Sequence, residues 1–129
     1  MSYIQGFVVP VPRANKDAYR DLAAKAAPMF REYGATRLIE CWGVDLAEGE
    51  TTDFRKAVRA EESETVVFAW IEWPDRATCD AAARRMEADE RWKSLPAMPF
   101  DGKRMFWGGF EPLFDSDDRS AATEEKPGS

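Results

Sequence analysis

Between Glu64 and Trp73 the chain reads ETVVFAWIEW, a run of β-branched and aromatic residues whose two alternating sides are both apolar. Val66, Phe68 and Trp70 point one way, and Val67, Ala69, Ile71 and Trp73 point the other. A strand in a sheet with one wet face alternates apolar with polar residues, so this one requires cover on both sides. The segment from Arg104 to Leu113 repeats the pattern, with Phe106 and Phe110 opposing Met105 and Trp107. Any fold for this chain has to bury, or pair, two apolar sheet faces.

The rest of the chain says what covers the first face. Tyr3 to Val11 reads as a strand closed by Pro10 and Pro12. Asn15 then stands as an N-cap with Asp17 in the first turn. Tyr19, Leu22, Ala23, Ala26, Phe30 and Tyr33 recur at helical spacing up to Gly34, a natural C′ residue. Pro28 interrupts this pattern and is expected on the exposed side of the helix, where a lost backbone bond costs least. Ala35 to Asp45 reads as a second strand. Residues 46–63 are a long polar connection with a short helical turn over Thr52 to Val58. Pro74 and Asp75 open a second helix, with Cys79, Ala82, Ala83 and Met86 on its inner side.

The order βαββαβ gives an α+β, ferredoxin-like fold: a four-stranded antiparallel sheet with two helices on one face. The second apolar face is then open, and a second copy of the chain is the expected cover. Residues 1–114 form the expected domain. Residues 115–129, DSDDRSAATEEKPGS, hold no aromatic or branched aliphatic side chain and read as a disordered acidic tail.

Composition removes several functions. The chain has 129 residues and a net charge of −6, with 24 acidic against 18 basic side chains, which disfavours a nucleic-acid partner or an anionic membrane surface. No apolar run approaches the ~20 residues of a membrane span, and the N-terminus lacks the marks of a signal peptide. Its two cysteines fit reduced thiols in the cytoplasm. There is no histidine, so Ser-His and Cys-His nucleophile pairs and His-ligated metal or haem sites are excluded. No metal and no cofactor is expected.

Five Trp, eight Phe and three Tyr supply material for a core or a pocket. The expected site gathers Phe68, Trp70 and Glu72 of the third strand with Glu40 and Trp42 of the second and Gln5 and Phe7 of the first. A carboxylate in such an apolar setting has a raised pKa suited to acid or base work. The competing reading pairs Glu40 and Glu72 with Arg37 or Arg104 as structural ion pairs. Lys103 and Arg104 could hold an anionic group, and Asp53 and Arg55 lie in the long connection, where function concentrates. Glu40, Glu72 and Arg104 are thus the catalytic candidates. Gln5, Phe7, Trp42, Asp53, Arg55, Phe68, Trp70 and Lys103 are the ligand-binding ones. Gly108 and Gly109 mark a bulge or a close backbone approach rather than a phosphate loop, since no helix follows them. Cys41 and Cys79 read as small buried hydrophobes.

In addition, YIQGFVVPVP, ECWGVD at Glu40 to Asp45, TDFRKAV at Thr52 to Val58, and PFDGKRM followed by GGFE resemble the YbaA-like proteins. That bacterial family of unknown function belongs to the dimeric α/β-barrel superfamily, and the resemblance covers about Tyr3 to Leu113. It implies a ferredoxin-like subunit whose sheet faces that of its partner, and it implies no activity. Two readings stay open. One is a homodimer that binds a small ligand in a pocket by the sheet; the other is a cofactor-independent enzyme, a monooxygenase or isomerase, that uses a buried Glu.

Overall fold

The computed structural model describes residues 2–117. The chain runs β1 (Tyr3–Pro12), α1 (Lys16–Glu32), β2 (Arg37–Trp42), α2 (Phe54–Ala57), β3 (Glu64–Trp73), α3 (Arg76–Ala88) and β4 (Phe106–Phe110). Short 3-10 turns occupy Arg13–Asn15 and Glu90–Ser94. The strands make one antiparallel sheet in the order β2-β3-β1-β4, which is the expected ferredoxin-like arrangement. Strands β2 and β4 are shorter than the sequence pattern suggests. The expected acidic tail lies, from residue 118 onward, outside the described residues.

Register decides which side chains share a face. Gln5 stands opposite Ile71, Phe7 opposite Ala69 and Val9 opposite Val67. Glu40 stands opposite Ala69, and Trp42 opposite Val67. These residues therefore lie on one face, and on it the helices pack. Tyr19 of α1 joins Val9, Val11, Val67 and Ala69. Cys79 and Ala82 of α3 join Ile71, Trp73 and Tyr33.

The other face carries Ile4, Gly6, Val8, Phe68, Trp70 and Glu72, flanked by Ile39 and Cys41 of β2 and by Phe106 and Phe110 of β4. The long connection covers one end of it, where Val58, Leu46 and Ala60 pack on Val8 and Val66. Beyond that end the face is open: Phe68, Phe106 and Phe110 are 46%, 47% and 59% exposed.

Local signals explain the boundaries. Asp75 and Asp53 cap α3 and α2, accepting from the backbone N–H of Thr78 at 2.7 Å and of Lys56 at 2.6 Å. Asn15 occupies the N-cap position of α1 but makes no cap bond, since its side chain donates to the Pro99 carbonyl at 2.9 Å. It ties the start of α1 to the loop before β4. Pro28 sits on the exposed side of α1. At its other end, Gly34 has φ 112°, while Ala35 N–H bonds Phe30 O and Gly34 N–H bonds Arg31 O, a Schellman ending. Gly108 and Gly109 form no bulge, since they stand in regular register opposite Gly6 and Gln5; Gly109 instead lies beneath the Tyr3 side chain, whose hydroxyl a methyl group there would overlap.

Candidate functional site

A cavity of about 510 Å³ lies between α3 and the helix-side face of the sheet. Its floor is Gln5 and Phe7 of β1 with Ile71 and Trp73 of β3. Its roof is α3, where Cys79 and Ala82 are buried and Ala83 and Met86, expected on the inner side, stand at the exposed rim. Alanines hold the helix against large floor residues without filling the gap between them, so space remains. Trp92, Phe30, Met105 and Trp107 close the sides. Trp107 projects from the edge strand β4, its ring 6.5 Å from that of Phe7, and stays 63% exposed.

Few polar groups reach this space. The Trp73 indole N–H donates to Gln5 Oε1 at 2.9 Å, which fixes the amide and leaves its Nε2 as donor. Trp92 is held by a relay in which its indole N–H donates to the Tyr33 hydroxyl at 2.9 Å, and Tyr33 donates to Asp89 at 2.5 Å. Arg91 grips the same carboxylate at 2.6 Å and Glu32 at 2.6 Å. Hydrogen bonds from Arg91, then from Tyr33, hold the Asp89 carboxyl far below the usual range, while burial first and then Asp89 push the Tyr33 hydroxyl up. The relay positions Trp92 as a wall of the cavity. Glu87 stands at the edge as its one carboxylate.

The structure divides the expected site. Gln5 and Phe7 line the cavity, whereas Phe68, Trp70 and Glu72 lie on the opposite face of the sheet. Placing all of them together is therefore corrected by the register. Glu72 accepts from the Trp70 indole at 2.9 Å and meets Arg37 at 3.9 Å, which is the structural pairing.

Glu40 and Trp42 share the helix-side face but lie under α1, outside the cavity lining. Glu40 is exposed as a residue, yet its carboxylate accepts from the hydroxyl of the buried Tyr19 at 2.7 Å. Burial of that carboxylate raises its pKa, against the lowering effect of the Tyr19 bond. Lys16 stands over the Trp42 ring at 5.6 Å.

The remaining candidates have structural partners. Arg104 meets neither Glu40 nor Glu72; it forks onto Glu64 with two bonds of 2.7 Å and also reaches Asp101 at 3.0 Å. Lys103 is exposed, and its backbone N–H caps Asp101. Asp53 accepts from Gly49 and Lys56, and Arg55 donates to the carbonyls of Glu64 and Glu61. Cys79 is buried, but Cys41 is exposed on the open face, contrary to its reading as a core residue. Trp73, Trp92, Trp107 and Glu64 carry the geometry without having been singled out. For Trp107 half of the signal was present: alternation set it opposite Phe106, and the register of β4 against β1, which pairs it with Phe7, puts it on the helix side.

Residues 2–102 match the family model described as a protein of unknown function (DUF1428). The chain belongs to this family. A relative in it, the uncharacterized protein YbaA of Escherichia coli K12, is 57% identical over 116 residues, covering 89% of this chain and 99% of that one. Among solved structures, the DUF1428 fold is similar to an uncharacterized NIPSNAP domain protein from Burkholderia xenovorans, with TM-score 0.58 and 18% identity over 89% and 99% of the two chains. It is also similar to a dimeric ferredoxin-like protein from an uncultured marine organism, with TM-score 0.56 and 10% identity over 89% and 99%. These likenesses show the fold. Among the described residues no helix is long and apolar enough to cross a membrane, and no cluster of His, Cys, Asp or Glu could hold a metal ion.

Proposed function

We propose that this DUF1428 chain is a homodimeric binding protein of the cytoplasm whose subunit takes a small, flat, largely apolar ligand in the cavity under α3. The observation that carries the reading is the lining: about 510 Å³ walled by Phe7, Phe30, Trp73, Trp92 and Trp107 over a single oriented amide, Gln5. Sites for drug-sized ligands have this size and this ratio of apolar wall to placed polar groups. The open sheet face supports pairing with a second copy, and the dimeric ferredoxin-like neighbour shares the subunit fold. The unbridged Cys41 and Cys79 support a reducing compartment. Cofactor-independent enzyme chemistry is the alternative, and binding stands ahead of it because Glu40, the carboxyl with the raised pKa, is held by Tyr19 away from the cavity.

Titration with a neutral tricyclic probe, 9-anthracenemethanol, tests the reading through quenching of tryptophan fluorescence. Saturable quenching is expected at one probe per chain, with loss of binding in Ala83→Trp, which plugs the roof from the exposed side of α3. Equal binding by the folded, plugged variant would overturn it.

A further inference from the structure

Resting on that reading of the cavity, we propose that the site selects organic cations, flat or quaternary ammonium compounds, over anions of the same shape. The argument is a count of what the walls can offer to each charge. An anion drawn out of water needs donors to replace its hydration. Two of the three indole N–H groups lining the cavity are already committed, that of Trp73 to Gln5 and that of Trp92 to Tyr33. Among the described residues no Lys or Arg lines the space. Of the nearby cations, Arg85 lies 4.8 Å over the Tyr33 ring, Arg91 grips Asp89 and Glu32, and Lys93 pairs with Glu90 at 3.1 Å, while the exposed Arg84 follows Ala83 on α3 but is not part of the lining. An anion would find only the Gln5 amide and the exposed Trp107 indole.

A cation finds more. Five aromatic side chains line the cavity, and an aromatic face attracts a cation most where water is excluded. Met86 and Met105 add polarizable sulfur. Glu87 stands at the edge, forms no ion pair among the described residues, and supplies the counter-charge. The net charge of −6 adds a long-range bias that favours the approach of cations.

Three tricyclic probes of one shape test the assignment on the full chain by isothermal titration at physiological salt: N-methylacridinium, 9-anthracenemethanol and 9-anthracenecarboxylate. The cation is expected to bind about tenfold or more tighter than the anion, with the neutral probe between them. Glu87→Gln is expected to shrink the cation-over-neutral preference several-fold, and Ala83→Trp to abolish binding of all three. Because a cation can also adsorb to an acidic surface, N-methylacridinium binding that survives the Ala83→Trp plug would overturn the proposal. If Ala83→Trp does not fold, Trp107→Ala, a change at an exposed wall, replaces it, and the cation should then weaken most. Equal affinities for the three probes, all lost in the plugged variant, would overturn the charge selection and leave the cavity standing as a binding site. No binding of any probe would overturn both.

Discussion

Two glutamates with opposite surroundings contribute to the acid response of this protein with opposite signs. Glu64 is 2% exposed, and its carboxylate takes both forks of Arg104 and the backbone N–H of Glu61. The Arg104 hydrogen bonds are the main cause of its lowered pKa. A carboxyl whose folded pKa is depressed contributes stability that is complete above its ordinary value and is lost as pH falls through the folded one. Glu40 is shifted the other way by burial, so its folded form favours the proton and its contribution falls as pH rises through that window. Urea midpoints measured between about pH 7 and pH 3 should therefore separate them. Arg104→Met should lose stability at neutral pH, and more of it than Arg76→Met, which breaks an exposed pair with Asp80, because a buried carboxylate is left without its partner. Glu40→Gln should be no less stable than the parent at neutral pH, since a Gln oxygen still accepts from Tyr19 and the charge is gone. A stable Arg104→Met, or a destabilised Glu40→Gln, would contradict these assignments. The Glu64–Arg104 pair was not legible in the sequence: forty residues separate the partners, and Glu64 reads only as the polar first residue of an apolar strand.

Helices and strands were legible where a local rule fixes them. Gly34 is such a place, as its φ of 112° lies where side chains are strained and a Cβ would meet Thr78 Cγ2 at 2.5 Å. Gly34→Ala should destabilise the fold by about 1–3 kcal/mol in urea unfolding, since the turn joins α1 to β2 and abuts α3. A loss within a few tenths would mean that the turn relaxes freely. Apolar alternation likewise told which residues of one strand share a side, and Phe106 and Phe110 do oppose Trp107. Alternation is silent on how strands align, and a one-residue slip flips a whole strand. For that reason Gln5, Phe7, Glu40 and Trp42 were grouped with Phe68, Trp70 and Glu72, and the register of β1 and β2 against β3 parted them. The segment Glu90–Ser94 has no periodicity to read, yet it places Trp92, so this wall of the cavity depended on contacts that only the folded chain makes.

At the scale of the whole molecule the open sheet face carries the remaining consequence. Phe68, Trp70, Phe106 and Phe110 line it, Phe54 adds its ring 6.0 Å from Phe68, and Arg37 and Glu72 at its rim bring one charge of each sign. An apolar, nearly neutral surface does not repel its own copy, and two such faces can exclude water from each other. Sedimentation at micromolar concentration should therefore find a dimer. The informative substitution is Phe68→Glu rather than Trp70→Glu. Phe68 is 46% exposed in the single chain, so a charge there burdens the subunit little, whereas Trp70 is more deeply packed and a charge would disturb folding as well as pairing. In the dimer the same glutamate would lie against apolar rings on both sides of a two-fold axis, without a partner for either charge. Loss of at least ~2 kcal/mol of association, roughly a thirtyfold rise in dissociation constant, is expected with the circular dichroism of the parent retained. A Phe68→Glu chain that stays dimeric would place the interface elsewhere, and a folded parent chain that sediments as a monomer would leave the apolar face to another partner.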